Sequence, residues 1–238
     1  MSGVDDELFR IVVRTNGVAP RVRELEPTES VSIGRGGDLP IGIEPHDPGI
    51  SRIALRVSVS LDGWRITFTN RNGATLHEWA QAPEWIAYDE ERLIRWPRVG
   101  VRLVGDVRDL DHWVLLETDA LRIGQPAADD EVFETQVATR PRELTASQML
   151  AVYAIFPEHL AWPPGVSPVS RSLEAAAHRI GVTPSAIRER LRPVQDRARE
   201  LGFPQTVGVT DPEYVYHLAA HGFLTEVPPF VAVGDAQP

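Results

Sequence analysis

The sequence predicts two domains of different class, an all-β sandwich followed by an all-α domain. The first half contains many short apolar segments separated by turn signals about every 8–12 residues, which is typical of a sandwich. After Thr145 the apolar residues recur with a period of about 3.6, which predicts helices. Residues 123–142 are acidic and show neither pattern, so they predict a linker between the two domains.

Size and composition exclude several classes of protein. The chain has 238 residues, 42% of them hydrophobic and 24% charged, which is the balance of a globular protein with room for two domains. No apolar segment approaches the roughly 20 residues that span a bilayer, and the N-terminus carries acids where a signal peptide needs basic and apolar residues. Cysteine is absent, which excludes disulfides, a thiol nucleophile and thiolate metal sites. We therefore expect a cytoplasmic protein.

The charge distribution separates the two halves of the chain. The net charge is −10, yet all 24 basic residues are arginine, whose planar guanidinium suits bidentate binding of phosphate. Only the stretch 140–205 has more basic than acidic residues. An acidic chain does not coat nucleic acid indiscriminately, so any contact with DNA is expected in the C-terminal half.

The strands of the first domain are predicted from β-branched and alternating segments. Phe9–Arg14 is apolar and β-branched, and Ile53–Ser60 alternates apolar with polar residues. Asp62-Gly63 predicts a hairpin turn into Trp64–Thr69, where every second residue is apolar and is expected to face the core. The other predicted strands are Val31–Gly34, Ile41–Ile43, Glu84–Tyr88, Arg92–Trp96, Gly100–Val104 and Trp113–Thr118.

The helices of the second domain, residues 143–225, are predicted from periodicity and end signals. Gly181 suits the left-handed position that closes a helix, and Thr183-Pro184 supplies the cap and first-turn proline of the next helix. Pro193 is expected to bend or restart that helix. The other predicted helices are Ser147–Phe156, Ser172–Ile180 and Pro212–His221, and residues 226–238 are predicted to be a loose tail.

Three loop signals recur between the predicted strands of the first domain: Gly34-Arg35, Ser51-Arg52 and Asn72-Gly73. Loops at one end of a sandwich converge in space, which would bring these polar side chains together. The pattern IGRGGDLPIGIEP, then GISR, then NRNGAT resembles that of the forkhead-associated (FHA) domain in order and spacing, over residues 8–122.

The resemblance implies a domain that binds phosphothreonine in a partner protein. Arg35 would bind the phosphate as a charged fork, Ser51 would donate its hydroxyl, and Arg52 would add positive charge beside them. A dianion needs convergent donors, and Gly36-Gly37 would let backbone N–H groups point outward as well. The predicted phosphothreonine-binding residues are Arg35, Ser51, Arg52, Asn70, Asn72 and Gly73.

The sequence departs from the FHA pattern at two positions. Ala54 stands where the family usually has a histidine that braces the loop, and Asn70 stands where the family favours Ser or Thr. The alternative to a phosphothreonine site is a degenerate sandwich used as a scaffold, in which Arg35 and Arg52 are solvated surface residues.

The second domain contains the pattern of two crossing helices in LEAAAHRIGVTPSAIRERLRPV. Small alanines such as Ala176 allow close packing, Gly181 closes the first helix, and Ile187 and Leu191 mark the buried face of the second. The segment resembles the LuxR-like and sigma-like helix-turn-helix families, which implies DNA binding.

In a DNA-binding domain of this kind, the second helix presents donors to base edges and phosphates. The predicted DNA-binding residues are Arg171, Arg179, Ser185, Arg188, Glu189 and Arg192. The alternative is a helical protein-interaction module, on which these arginines form a solvated face with ion pairs four residues apart to acids such as Asp196.

Other signals predict no catalysis, cofactor or metal. His217 and His221 have the spacing of two ligands on a helix, but the sequence lacks the Glu of HExxH. Gly34–Gly37 lacks the ending of a nucleotide-binding loop, and no serine lies in a GxSxG elbow. We therefore expect a protein that is not an enzyme.

Together the two resemblances imply a bacterial transcription regulator in a Ser/Thr kinase pathway. Its FHA-like domain would bind a phosphorylated partner, or a second copy of the chain, and its helix-turn-helix would bind DNA. A homodimer is compatible with this reading, because helix-turn-helix proteins often pair across half-sites. The alternative is a signalling adaptor whose helical domain binds protein.

Overall fold

The structure is a computed structural model that describes residues 9–60, 63–119, 143–204 and 206–224. The chain forms two compact units, Met1–Arg122 and Ile123–Pro238. The predicted linker 123–142, the predicted tail 226–238 and Asp62 of the predicted hairpin turn lie outside the described residues. None of the helices in the described ranges has the length and apolar character needed to cross a lipid bilayer.

The first unit is a sandwich of two β-sheets, as the sequence predicts. Its strands are β1 Phe9–Thr15, β2 Arg21–Leu25, β3 Ser30–Gly34, β4 Leu39–Pro40, β5 Leu55–Ser60, β6 Gly63–Phe68, β7 Ala74–Glu78, β8 Glu84–Ile86, β9 Glu90–Ile94, β10 Arg98–Leu103 and β11 His112–Thr118. One sheet has the order β2-β1-β11-β10-β7-β8 and the other the order β4-β3-β5-β6-β9. Apolar side chains from both sheets form one shared core.

The register of the second sheet gathers the three loop signals at one end. Strands β5 and β6 are antiparallel, with Leu55 opposite Phe68, and β3 pairs with β5 so that Ile33 lies opposite Leu55. The segments that follow β3, precede β5 and follow β6 therefore all lie at the same end of the sheet. The core anchors this arrangement, because Trp64, Ile66 and Phe68 are all buried, as their alternation predicts.

Four strand assignments differ from the sequence prediction, and one of them is the two-residue strand Leu39–Pro40, which was not predicted. Arg21–Leu25 is an edge strand whose side chains are mostly exposed and charged, so it lacks the apolar alternation of a half-buried strand. Ala74–Glu78 was not predicted because it is short and contains polar residues. Ile41–Ile43 is not a strand, because Gly42 has a φ of +74° and turns the chain there.

The second unit contains four helices within its described residues: α1 Ala146–Ile155, α2 Leu173–Ile180, α3 Pro184–Glu200 and α4 Glu213–Ala220. The predicted end signals are present. Thr183 accepts a hydrogen bond from the backbone of Ala186 at the start of α3, and Gly181 closes α2 in the left-handed conformation. Ile187 and Leu191 are fully buried and pack α3 into the helical core.

Of the two effects predicted for Pro193, a bend or a restart of the helix, the restart does not occur. Helix α3 continues through Pro193 for 17 residues, from Pro184 to Glu200. A proline inside a helix removes one N–H donor and leaves the carbonyl four residues earlier without its usual partner. Pro193 and Glu189 are both exposed, so water can hydrogen-bond to that carbonyl and the helix persists.

Buried His77 makes the stability of the sandwich depend on pH. Burial, together with the nearby charge of Arg102, lowers the pKa of His77 to about 4. Its Nε2 is buried with no hydrogen-bond partner, and its ring packs edge-on against Trp113. The unfolded chain binds a proton at this residue below about pH 6.5. The folded state excludes that proton until about pH 4.

We predict that His77→Leu flattens the dependence of unfolding free energy on pH. In the native protein this residue contributes stability above about pH 6.5 that is lost as the pH falls toward 4, with a slope of at most about 1.4 kcal/mol per pH unit. Urea unfolding of both proteins at pH 7 and pH 5 measures the difference. Exposed His46→Gln is the control, and equal slopes for native protein and His77→Leu would contradict the prediction.

Candidate functional site

A cavity of about 500 Å³ lies where the loops at one end of the sandwich meet, and we call it the arginine cavity. Four of the six predicted phosphothreonine-binding residues line it together: Arg35, Ser51, Arg52 and Asn72. Its other wall residues are Pro48, Gly49, Ile53, Thr69, Arg71, Tyr88 and Asp106. Asn70 and Gly73 do not line it.

Main-chain hydrogen bonds hold Arg35 against the Ser51-Arg52 loop. The N–H of Arg35 donates to the carbonyl of Ser51 at 3.1 Å, and its side-chain Nε donates to the carbonyl of Ile50 at 2.6 Å. Gly34 makes this approach feasible, since a Cβ there would lie 2.6 Å from the carbonyl oxygen of Arg52. The bond at Nε fixes the orientation of the guanidinium at the cavity wall.

The backbone N–H groups of Gly36 and Gly37 do not point outward, contrary to the prediction. The Gly36 N–H donates to the carbonyl of Arg52 at 2.8 Å, and the Gly37 N–H donates to the carbonyl of Gly34 at 3.2 Å. These donors close the loop on itself. Side chains therefore supply the donors that this loop offers to a ligand.

Ser51 and Asn70 are joined by a hydrogen bond, but only Ser51 lines the cavity. The Ser51 N–H donates to Oδ1 of Asn70 at 3.0 Å, and Oγ of Ser51 accepts from the Arg71 N–H at 3.0 Å. Because Oγ already accepts a bond, its own proton is available to a ligand. Asn70 is 1% exposed and donates from Nδ2 to the carbonyls of Gly73 and Val104, so it braces the site from beneath.

Asn72 lies on the cavity wall beside an acid that the sequence analysis did not identify. Its Nδ2 donates to Oδ1 of Asp106 at 2.8 Å. A Cβ at Gly49 would lie 2.3 Å from the backbone N of Asp106 and 2.8 Å from Nδ2 of Asn72, so glycine is required at this corner. No local sequence motif links these residues, which come from three separate loops.

A buried carboxylate, Asp47, connects the loops behind this corner. It is 0% exposed and accepts hydrogen bonds from the N–H groups of Gly49 and Asp106, both at 2.9 Å, and from Val107 at 3.4 Å. Its Oδ2 also lies 3.2 Å from Nε2 of buried His112. Burial alone would raise the pKa of Asp47, but these hydrogen bonds outweigh it and hold the pKa below its ordinary value.

The segment around Ala54 is braced without the histidine of the FHA pattern. Ala54 is fully buried, its N–H donates to the carbonyl of Ile33 at 2.7 Å, and its carbonyl accepts from the Thr69 N–H at 2.8 Å. The Thr69 hydroxyl also donates to the carbonyl of Ile53 at 3.0 Å. Main-chain pairing and Thr69 thus hold the start of β5 against the end of β6.

The cavity wall has a surplus of positive charge. Within the described ranges, no carboxylate oxygen lies within 4.0 Å of a guanidinium nitrogen of Arg35, Arg52 or Arg71. Some other arginines of the sandwich are paired with acids, such as Arg65, which forms an ion pair with Glu91 at 2.7 Å. Three unpaired arginines and one acid, Asp106, give the wall a net attraction for an anion.

An exposed aromatic residue lines the arginine cavity, and a second one packs on the turn that follows Asn72. Tyr88 is 56% exposed on the wall itself, and the next residue, Asp89, has a φ of +65° and donates its N–H to the carbonyl of Phe68 at 2.7 Å. Trp85 packs on Gly73, where a Cβ would lie 2.5 Å from Cζ2 of the indole. Gly73 also has a φ of +76°, as its predicted role in the turn requires.

On α3, the predicted DNA-binding side chains share one exposed face. Ser185, Arg188, Glu189 and Arg192 are all exposed, opposite buried Ile187. The ion pair of Arg192 with Asp196 expected for a solvated face is not formed, and Asp196 instead pairs with Arg199 at 2.5 Å. Neither Arg188 nor Arg192 has a carboxylate within 4.0 Å in the part of the unit that is described.

Of the predicted DNA-binding arginines outside α3, Arg179 lies on α2 and Arg171 does not. Arg179 is partly buried in the last turn of that helix. Arg171 precedes the helix, whose N-cap is Ser172, and the Arg171 N–H donates to the carbonyl of Ile155 at 2.8 Å.

His217 and His221 make contacts within the second unit. Nε2 of His217 lies 3.2 Å from the carbonyl oxygen of Leu201, and Nδ1 of His221 lies 2.8 Å from the carbonyl oxygen of His217. Over the described residues, no three His, Cys, Asp or Glu side chains are grouped so as to hold a metal ion.

Comparison with solved structures finds likenesses to FHA domains. One is the FHA domain of the CT664 protein of Chlamydia trachomatis, 16% identical over 46% of this chain and 96% of that one, with a TM-score of 0.34. A second is the FHA domain of a hypothetical Arabidopsis thaliana protein, 18% identical over 54% of this chain and 96% of that one, with a TM-score of 0.37.

A third likeness is to the FHA domain of yeast Dun1 in complex with a doubly phosphorylated peptide, 17% identical over 60% of this chain and 94% of that one, with a TM-score of 0.29. No family model and no curated protein matches the chain. The similarity to FHA domains covers about half of the chain and concerns the fold alone.

Proposed function

We propose that the first unit binds a phosphorylated threonine of a partner protein in the arginine cavity. The observation that carries this proposal is the convergence on one concave surface of Arg35, Ser51, Arg52 and Asn72, which come from three separate loops. The unpaired guanidiniums there supply the charge that a phosphate of about −2 needs.

The geometry supports a separate role for each group. The guanidinium of Arg35, oriented by its bond to Ile50, would bind two phosphate oxygens, and the Ser51 hydroxyl would donate to a third. Arg52 would add positive charge beside them. Asn72, which also lines the cavity, would bind the peptide backbone beside the phosphothreonine.

The test is a calorimetric titration of the full chain with peptides that contain phosphothreonine or threonine in otherwise identical sequences. Because the peptide preference is unknown, a degenerate mixture around a fixed phosphothreonine is the first ligand. We expect saturable binding only with the phosphorylated mixture. Equal affinities for the two mixtures would favour the alternative, in which the sandwich is a scaffold without a phosphothreonine site.

We predict that Asp106→Asn strengthens phosphopeptide binding by about three- to tenfold. The carboxylate of Asp106 repels a dianion in the same cavity, and at solvent-exposed distances this repulsion is about 1 kcal/mol. Asparagine still offers an oxygen to the Asn72 amide, so the wall keeps its bond. The same titration measures the gain, and weaker binding by Asp106→Asn would show that the acid contributes to recognition rather than opposing it.

We further propose that the exposed face of α3 binds duplex DNA. The support is that Arg188 and Arg192 are exposed on one face without carboxylate partners in the described range, beyond a glycine-closed turn between α2 and α3. Guanidiniums on such a helix bind guanine edges or phosphates.

Gel retardation of random duplex at low salt tests this second role. The double variant Arg188→Ala/Arg192→Ala is expected to bind about tenfold or more weakly than the native protein, because phosphate contacts dominate affinity at low salt. Arg199→Ala, which removes an arginine that is paired with Asp196, is the matched control. No retardation of DNA by the native protein would favour an adaptor whose helical unit binds protein.

Together these roles describe a regulator that responds to a Ser/Thr kinase. A partner protein phosphorylated on threonine would bind to the sandwich while the helical unit is bound to DNA. Retardation assays with and without saturating phosphothreonine peptide, at fixed salt, test whether the two sites are coupled. Unchanged DNA affinity would mean that the two units act independently.

A further inference from the structure

Within the described residues, the two sheets of the sandwich have four edge strands: β2 and β8 in one sheet, β4 and β9 in the other. An edge strand carries backbone N–H and C=O groups without strand partners, so it can pair with a strand of another chain. Strands β4 and β8 have only two and three residues, which is too short for a stable ladder. Strands β2 and β9 have five residues each and are therefore the edges to compare.

The sequence of β2 opposes pairing with a second copy of itself. When two identical strands pair antiparallel about a two-fold axis, the numbers of facing residues add up to an even sum, because facing residues lie on the same side of the sheet. Every register that pairs at least three residues of β2 places like charges opposite each other: Arg21 against Arg23, Arg23 against Arg23, or Glu24 against Glu24. Like charges directly opposite are destabilising, so this edge is protected.

Strand β9 differs, because one register places no like charges opposite each other. That register puts Leu93 of one protomer opposite Leu93 of its partner, with Arg92 opposite Ile94. One residue beyond the strand, it also puts Glu91 opposite Arg95, once on each side of the two-fold axis. The two other registers of the same length place Glu91 opposite Glu91, or Arg92 opposite Arg92. The charges of β9 therefore specify a single self-pairing.

The side chains on the outer face of β9 are available for this contact. Leu93 is 42% exposed, although it is a large apolar residue on a strand. Arg95 is exposed, and within the described ranges no carboxylate oxygen lies within 4.0 Å of its guanidinium. Glu91 pairs with Arg65 at 2.7 Å, yet 52% of its side chain remains exposed. A carboxylate has several acceptor sites, so Glu91 can accept a second guanidinium.

Arg92 lies on the other side of the strand, where it does not oppose the pairing. Its guanidinium forms ion pairs with Glu90 at 2.6 Å and with Glu84 at 3.5 Å, so its charge is compensated within its own sandwich. The residue that faces it in this register, Ile94, is apolar, and the aliphatic part of an arginine side chain packs well on such a residue.

We propose that the protein forms a homodimer in which the β9 strands of two sandwiches pair antiparallel about Leu93 and join two five-stranded sheets. A second copy of the chain is the occupant that fits this edge, because one register alone combines an apolar pair at the axis with two ion pairs beside it. A contact between two short strands is small, which is typical of a dimer in equilibrium with its monomer.

The antiparallel pairing determines where the two arginine cavities of the dimer lie. Strand β9 begins at Glu90, which is paired with Phe68, and the next residue after Phe68, Thr69, lines the arginine cavity. The two cavities would therefore lie at opposite ends of the joined sheet. The dimer itself does not depend on the proposed function of the cavity.

The first experiment is sedimentation velocity of the full chain over a concentration series that extends into the millimolar range. We expect the native protein to change from monomer to dimer, and Leu93→Lys to raise the dimer dissociation constant at least about tenfold, because it puts two like charges at the axis. Val22→Lys is the matched control, since Val22 is an exposed aliphatic residue on the other five-residue edge, and it should dimerise like the native protein.

The second experiment exchanges the charges of the two ion pairs. Glu91→Arg alone and Arg95→Glu alone each place like charges opposite each other twice, so we expect both variants to be monomeric at concentrations where the native protein is a dimer. An equimolar mixture of the two variants places opposite charges at both positions and should dimerise. Glu91 and Arg65 are half exposed, so the loss of their ion pair costs little stability, and circular dichroism verifies folding of each variant.

The outcomes separate this edge from any other contact between copies. A native protein that stays monomeric over the whole series would overturn the inference. Self-association that Leu93→Lys retains would also overturn it, because another surface would then hold the dimer. The same conclusion would follow if the two charge variants associated no better in the mixture than each does alone.

Discussion

Replacement of Arg35 by alanine is expected to weaken binding of a phosphothreonine peptide by about 30- to 100-fold, because charge-assisted hydrogen bonds each contribute about 1.5–3 kcal/mol. The Arg35 guanidinium has no carboxylate partner among the described residues, so its full charge is available to the phosphate. Its removal costs the fold little, since the side chain is partly exposed. Calorimetric titration measures the loss.

Arg95→Ala is the matched control for this substitution. Arg95 is exposed and follows β9, whose last residue, Ile94, pairs with Trp64 at the start of β6. It therefore lies at the opposite end of the sheet from the arginine cavity. Arg35→Lys should recover part of the affinity, because lysine keeps the charge but lacks the fork. Equal affinities of Arg35→Ala and Arg95→Ala for the phosphopeptide would contradict the assigned role.

Replacement of Asp47 by asparagine is expected to lower the free energy of unfolding by about 3 kcal/mol, and also to weaken phosphopeptide binding. The carboxylate accepts three backbone N–H groups and contacts His112, and an asparagine would turn its own amide donor toward at least one of them. Because two of these N–H groups belong to Gly49 and Asp106 on the cavity wall, the wall would shift.

Chemical denaturation and the phosphopeptide titration together test this prediction. Asp109→Asn removes an exposed acid from the loop between β10 and β11, and it should leave both the stability and the affinity unchanged. If Asp47→Asn were as stable as the native protein, the buried carboxylate would not be the brace that its contacts indicate. If Asp47→Asn lowered the free energy of unfolding as expected but left the phosphopeptide affinity unchanged, Asp47 would stabilise the fold without positioning the binding site.

The sequence was sufficient to predict the convergence of the loops because neighbouring antiparallel strands have their connecting loops at shared ends. The antiparallel pairing of β3, β5 and β6 places Arg35, Ser51 and Asn72 at one end of the sandwich, and the structure brings them onto one wall. The convergence of the loops can be predicted because local periodicity, which is visible in a single sequence, identifies the strands that the loops connect.

The brace of the site depends on contacts that local patterns do not contain. Asp47 and His112 are 65 residues apart and meet only because β11 begins beside the loop before β5. Asp-Pro-Gly at 47–49 is read from sequence as a turn, which conceals the role of the carboxylate. The same holds for Asn70 and Asn72, since only the tertiary fold buries one and leaves the other on the wall.

Helix α3 shows a second way in which local sequence patterns fail to predict the structure. A proline at position 193 predicts an interruption from local chemistry, but the packing of Leu191 and Val194 in the core keeps the helix continuous on both sides. Tertiary packing outweighs one lost hydrogen bond when the affected carbonyl can be solvated.

Amide chemical-shift mapping of the full chain with a phosphothreonine peptide tests the central claim most directly. If the arginine cavity holds the phosphate, the largest changes will occur at the amides of Gly36, Ser51, Arg52 and Asn72, and the threonine peptide will leave them in place. Changes confined to another surface, or the same changes with both peptides, would contradict the account.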